Sequence, residues 1–67
     1  MTAQEMFEES DFTLKQRNNL YIWYENESGD TIVFCINERN YTDDLMKKDM
    51  KTHKAINKQC KELGWIE

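Results

Sequence analysis

Five lysines in the last third of this 67-residue chain recur at helical spacing. Residues three or four apart lie on one face of a helix, so this spacing predicts a positive ribbon of the kind that contacts nucleic-acid phosphates. The chain is acidic overall, with a net charge of −4, and the ribbon has no arginine for bidentate contacts to phosphates or bases. A solvated helix face is the simpler interpretation, and nucleic-acid binding is the alternative. The ribbon consists of Lys47, Lys51, Lys54, Lys58 and Lys61.

Cys35, His53 and Cys60 are the side chains whose types fit a metal site or an activated nucleophile. A zinc site takes at least three protein ligands, so all three would have to converge from a strand and a helix. His53 and Cys60 are separated by roughly 10 Å along a continuous helix, at about 1.5 Å per residue, which excludes a hydrogen-bonded dyad. The chain has no glycine-rich phosphate loop, and its neighbouring carboxylates diverge on a helix. We therefore expect no enzyme activity, no metal site and no cofactor.

The N-terminal segment predicts a short helix followed by a weak strand. Thr2 and Glu5 have the spacing of a capping box, and the helix is expected to end near Ser10 with Ala3, Met6 and Phe7 on one side. Apolar and polar residues then alternate weakly from 12 to 17 and lead into Asn18-Asn19, a pair that tolerates a tight turn. Whether residues 12–17 form a strand is left open.

Residues 20–36 give the clearest strand signal and predict a β-hairpin. Two runs rich in β-branched and aromatic residues, 20–24 and 31–36, flank a polar turn containing Gly29. The period of two places Leu20, Ile22 and Tyr24 with Ile32, Phe34 and Ile36 on one face, and Tyr21, Trp23, Val33 and Cys35 on the other. Both faces of the hairpin are apolar.

The C-terminal region predicts an amphipathic helix that begins at either Asp43 or Asp49. Gly64 suits the left-handed position that ends a helix, so Trp65 is expected to fold back near Cys60. The expected apolar stripe consists of Met46, Met50, His53, Ile56, Cys60 and Leu63. The fold class is therefore α+β in a single domain, residues 1–67, with a sheet of two or three antiparallel strands between the helices.

One helix of this length covers one face of such a sheet, so the second face needs another cover. Three alternatives are open: the N-terminal helix and Trp65 fill it, a second copy packs on it as a homodimer, or another protein binds it. Aromatic side chains such as Tyr21 and Trp23 are typical of binding hot spots. Together with Val33 they are the predicted protein-binding residues.

Charge is unevenly distributed along the chain. Residues 1–44 carry ten acidic and three basic side chains, a net of −7, whereas residues 45–67 carry a net of +3. The acidic part raises a third functional hypothesis, in which the protein imitates nucleic acid and occupies a basic groove of a host protein. No apolar run reaches the roughly 20 residues that span a bilayer, and the N-terminus is polar, so we expect a cytosolic protein without a membrane partner.

Two segments resemble a known group of proteins. Residues 2–9 (TAQEMFEE) and 55–65 (AINKQCKELGW) are similar to the ends of short, uncharacterised proteins encoded by phages and prophages of Gram-positive bacteria. The resemblance implies an origin, and it implies no activity, cofactor or binding residue. By analogy, it favours a protein that binds a host or phage protein in the bacterial cytosol, for example to block a defence system. The primary hypothesis is accordingly a non-enzymatic protein-binding protein.

Overall fold

The computed structural model describes residues 1–66 as a four-stranded antiparallel sheet preceded by one helix and followed by another. The strands are ordered β1-β2-β3-β4, so each strand pairs with its neighbour in sequence. This confirms the α+β class and the order of helix, sheet and helix, whereas the predicted strand number of two or three is wrong. The elements are α1 (Ala3–Glu9), β1 (Phe12–Arg17), β2 (Tyr21–Asn26), β3 (Thr31–Cys35), β4 (Asn40–Asp43) and α2 (Met50–Glu62).

The strand that the sequence pattern missed is β4. It pairs with residues 32–35 of β3, and three of its four residues are exposed. A short, polar edge strand lacks the alternation of apolar and polar residues by which strands are recognised in a sequence. The sequence pattern therefore did not distinguish this strand from the start of the C-terminal helix. Arg39, in the left-handed region at φ 55°, precedes it in the turn after β3.

The predicted division of the β2–β3 hairpin into two faces is confirmed, apart from Leu20. Ile22 pairs with Phe34 and Tyr24 with Ile32, and all four are buried. Leu20, which was predicted to join them, is 61% exposed because β2 begins one residue later and Leu20 lies in the preceding turn.

The β1–β2 turn is organised by Asn18. Its side-chain oxygen accepts hydrogen bonds from the backbone N–H groups of Leu20 at 2.8 Å and Tyr21 at 2.9 Å. Asparagine favours such turns because its short side chain reaches the backbone of the residues that follow.

Both helices pack on the same face of the sheet. Phe7 of α1 stacks on Tyr24 with the ring centroids 4.1 Å apart, and it meets Phe34 edge-on at 6.1 Å. The predicted capping box that starts α1 is present, with Glu5 N–H donating to the Thr2 hydroxyl and Thr2 N–H donating to the Glu5 carboxylate. From α2, the same core receives Ala55, Ile56 and Cys60.

The helix α2 begins after Asp49, which resolves the choice left open by the sequence. The Asp49 carboxylate accepts a hydrogen bond from the Thr52 N–H at 2.8 Å and so caps the helix. Its buried residues are Thr52, Ala55, Ile56, Gln59 and Cys60.

The predicted apolar stripe on α2 is therefore wrong for three of its members. Met46 lies before the helix and is fully exposed, Met50 is 65% exposed, and His53 is exposed. The buried face of α2 is rotated relative to the predicted apolar stripe, because it includes the polar residues Thr52 and Gln59. Hydrophobic periodicity does not predict the burial of polar residues.

The end of α2 agrees with the prediction. Gly64 is left-handed at φ 77°, its N–H donates to the Lys61 carbonyl at 3.0 Å, and the Trp65 N–H donates to the Cys60 carbonyl at 2.9 Å. This pair of hydrogen bonds is the Schellman arrangement. It brings the Trp65 ring within 6.2 Å of the Phe34 ring, so Trp65 closes the core at this end.

Candidate functional site

The second face of the sheet, called here the outer face, points away from both helices. Its centre pairs Tyr21 with Cys35 and Trp23 with Val33, and all four side chains are half-buried. Neither helix packs on it, because the buried residues of α1 and α2, together with Trp65, join the core on the opposite side. The alternative in which the N-terminal helix and Trp65 fill this face is therefore wrong.

The outer face carries little charge. Among the paired positions around the aromatic centre, Glu25 is the one charged side chain, and Lys15 lies unpaired at the register shift of β1 beside Gln16. A patch with few charges and several aromatic side chains is typical of the central part of a protein interface. The surrounding positions are Thr13, Gln16, Glu25, Thr31, Asn40 and Thr42.

The indole N–H of Trp23 has no hydrogen-bond acceptor among the described residues. The indole nitrogen itself is buried. A buried N–H without an acceptor costs about 1–3 kcal/mol, and tryptophan normally finds one. The outer face therefore combines apolar surface with an unmet donor.

The lysine ribbon is shorter than predicted. Lys47 precedes α2, because the helix begins only at Met50, so it is not part of the helical face. The ion pair that the described residues do form joins Lys48 to Asp43 at 3.0 Å and uses none of the ribbon. Four lysines remain on α2 without a carboxylate partner within residues 1–66: Lys51, Lys54, Lys58 and Lys61.

The three candidate metal or nucleophile residues lie apart. Cys35 belongs to the outer face, Cys60 is buried in the core on the other side of the sheet, and His53 is exposed on α2. Burial raises the pKa of the Cys60 thiol, which lowers its nucleophilicity at neutral pH. Within residues 1–66, no group of three or more His, Cys, Asp or Glu side chains is arranged to hold a metal ion.

A cleft of about 370 Å³ lies on the helix side of the sheet, between the β1–β2 turn and the last turn of α2. Sequence reasoning missed it because its residues come from three distant segments that share no periodicity. Arg17 and Glu62 are charged residues at the ends of β1 and α2, and they could have been noted as candidates from the sequence. That they line the same cleft is a property of the tertiary fold. Its lining includes Arg17, Ile22, Ile36, Gln59, Glu62 and Leu63.

Two hydrogen bonds fix the polar side of this cleft. The Tyr24 hydroxyl donates to the side-chain oxygen of Gln59 at 2.7 Å, and the Glu62 carboxylate accepts from the Ala3 N–H at 2.8 Å, where it caps the start of α1. Burial raises the pKa of Tyr24, and the nearby Arg17 guanidinium opposes that rise. Tyr24 therefore stays neutral and acts as a hydrogen-bond donor in the core.

None of the helices formed by residues 1–66 has the length and apolarity needed to cross a bilayer. No protein-family model matches the chain, and neither a curated protein nor a solved structure matches it.

Proposed function

We propose that this protein is a non-enzymatic binding protein that associates with a second copy of itself through the outer face. The observation that carries the proposal is an aromatic sheet face, centred on Trp23, that neither helix covers. Contiguous apolar patches on small proteins are rarely left exposed to water unless they bind something.

The distribution of charge favours self-association through the outer face rather than through the surface of α2. Two outer faces brought together would bury mainly neutral side chains, with Glu25 as the charged residue among the paired positions. Two α2 surfaces would oppose their unpaired lysines, and like charges at an interface are costly. A twofold contact also needs one patch that complements itself, and a sheet face with few charges meets this need better than a row of lysines does.

Chain length gives a second reason for a dimer. A chain of 67 residues has a thin core, and domains of this size often gain stability from a second subunit. Burying the outer face would add the area that the single core lacks.

The test is the mass of the protein in solution. Sedimentation equilibrium across a range of concentrations is expected to give twice the chain mass at the upper end. Val33→Lys and Thr42→Lys place a charge on the outer face and are expected to shift the protein to a single-chain mass, with circular dichroism checking that the sheet persists. Met50→Lys adds the same charge on the exposed helix side and serves as the matched control.

A single-chain mass for the wild-type protein at every concentration would overturn the homodimer. The same variants would then distinguish a heterologous partner. The resemblance of residues 2–9 and 55–65 to phage proteins supports a partner in a bacterial cytosol, such as a host defence protein. Capture that is lost with Thr42→Lys and retained with Met50→Lys would support that partner.

Nucleic-acid binding is the second candidate, supported by the lysines on α2 that lack carboxylate partners. It predicts a mobility shift of DNA or RNA at low salt that weakens as salt rises, because phosphate contacts release counterions. Replacing Lys51, Lys54 and Lys58 by Glu is expected to abolish the shift, whereas Lys15→Glu on β1 is the control. A wild-type protein that shifts neither nucleic acid at low salt would exclude this function.

A further inference from the structure

The cleft between the β1–β2 turn and the end of α2 has an apolar floor. Ile22 is 4% exposed at its base, and Ile36 and Leu63 pack partly buried against the core beside it. Its volume of about 370 Å³ lies at the small end of the range for ligand pockets. The space therefore fits a small molecule with a short apolar group.

Gln59 contributes a polar group to this cleft. The residue is 98% buried and lines the cleft, and its side-chain oxygen is taken by the Tyr24 hydroxyl. Gln59 lines the cleft, so its side-chain amide belongs to the surface that a ligand would contact, and an amide nitrogen is a hydrogen-bond donor.

Two opposite charges flank the cleft without pairing. Arg17 and Glu62 both line it, yet they form no ion pair with each other. One carboxylate oxygen of Glu62 accepts from the Ala3 N–H at 2.8 Å, which holds the group in place. Glu62 also stands at the C-terminal end of α2, where the helix dipole favours a cation.

We propose that this cleft binds a small zwitterion, a free α-amino acid with an apolar side chain. The ligand's carboxylate pairs with the Arg17 guanidinium and accepts from the Gln59 amide. Its ammonium group pairs with Glu62 at the negative end of α2, and its side chain packs on Ile22 and Leu63. The amino acid would thus bridge Arg17 and Glu62, which form no ion pair with each other, by offering a carboxylate to the first and an ammonium group to the second.

The ligand requirement is tested by titrating the ¹⁵N-labelled full chain with three matched compounds. Leucine has both charges, N-acetyl-leucine lacks the ammonium group, and leucinamide lacks the carboxylate. We expect leucine to shift the signals of the Asn18, Asn19 and Gln59 side chains. We expect each blocked analogue to bind at least about tenfold more weakly, since each loses one charge pair. No shift with leucine, or equal binding of either analogue, would overturn the proposal.

Two conservative variants test the protein side of the same contacts. Arg17→Gln and Glu62→Gln each remove one charge, and Gln at position 62 keeps an oxygen for the Ala3 N–H. Both are expected to weaken leucine binding, whereas Lys15→Gln and Glu27→Gln remove the same charges outside the cleft and are expected to leave it unchanged. Unaltered leucine binding by both cleft variants would also overturn the proposal. Thr42 is on the opposite face of the sheet from this cleft. The effect of Thr42→Lys on the mass of the protein in solution therefore tests the proposed homodimer independently of leucine binding.

Discussion

The Tyr24 hydroxyl lies 2.7 Å from the side-chain oxygen of Gln59, and this buried hydrogen bond joins the second strand to the C-terminal helix across 35 residues of sequence. Tyr24 is fully buried and Gln59 is 2% exposed. The bond explains why α2 turns a glutamine toward the sheet, since a buried amide is tolerated where it is satisfied. Gln59 also lines the cleft beside the last turn of α2.

Removing one partner of this bond is expected to destabilise the fold. Tyr24→Phe leaves the Gln59 oxygen buried without a donor, which should lower the free energy of unfolding by about 1–3 kcal/mol. Urea denaturation followed by circular dichroism measures the change. Tyr41→Phe, on the exposed edge strand, is the matched control and should change stability by less than about 0.5 kcal/mol.

The same experiment has a double-variant arm. Tyr24→Phe combined with Gln59→Leu removes both polar groups, so it should cost less than the sum of the two single changes. Additive losses would show that the hydrogen bond does not couple the two residues.

Gly64→Ala tests the turn that ends α2. A Cβ at this position meets no heavy atom within 4 Å, so its cost comes from the left-handed backbone at φ 77°. We expect a loss of about 1–2 kcal/mol in the free energy of unfolding. Tryptophan emission should also shift to longer wavelength at lower urea concentration, because the turn holds Trp65 at the core. An unchanged denaturation midpoint would contradict this account of the turn.

Stability is expected to fall in acid because two helix-capping carboxylates are held ionised. The Thr2 backbone N–H lowers the pKa of Glu5, and the Thr52 backbone N–H lowers the pKa of Asp49. A group whose pKa is lower in the folded chain stabilises the fold above its ordinary pKa, and that contribution is lost as pH falls through the lowered value.

Urea midpoints measured from neutral pH into the acid range check this dependence. Asp49→Asn keeps a capping oxygen and cannot titrate, so its midpoint should fall less steeply with pH than that of the wild type. Glu27→Asn, in an exposed turn, is the control for removing a carboxylate that caps no helix. Parallel curves for wild type and Asp49→Asn would rule out the capping carboxylate as a source of the acid sensitivity.

The two cysteines should differ in reactivity. Cys35 is half-buried on the outer face, whereas Cys60 is buried and its thiol pKa is raised by burial. Iodoacetamide at neutral pH should therefore modify Cys35 faster, by about tenfold or more, as mass spectrometry of the peptides would show. If the outer face is the homodimer contact, modification of Cys35 should slow as protein concentration rises. Equal rates at the two thiols at the lowest protein concentration would contradict the assignment of faces.

Much of the fold could be predicted because it depends on local chemistry. The capping box at Thr2 and the left-handed glycine at position 64 are short-range signals, and alternating residues in the hairpin specify which side chains share a face. Those signals depend on residues a few positions apart. The placement of Tyr21 and Trp23 on the opposite face from Ile22 and Tyr24 could be predicted because successive side chains of a strand point to opposite faces.

Local sequence signals were enough to predict the order of helix, hairpin and helix and the two apolar faces of the hairpin. The fourth strand, the rotation of α2 and the identity of the uncovered sheet face are visible only in the fold. These features depend on contacts between distant residues, such as Tyr24 with Gln59 and Ala3 with Glu62. A buried polar pair or a short edge strand is stabilised by partners far along the chain, so hydrophobic periodicity carries no signal for it.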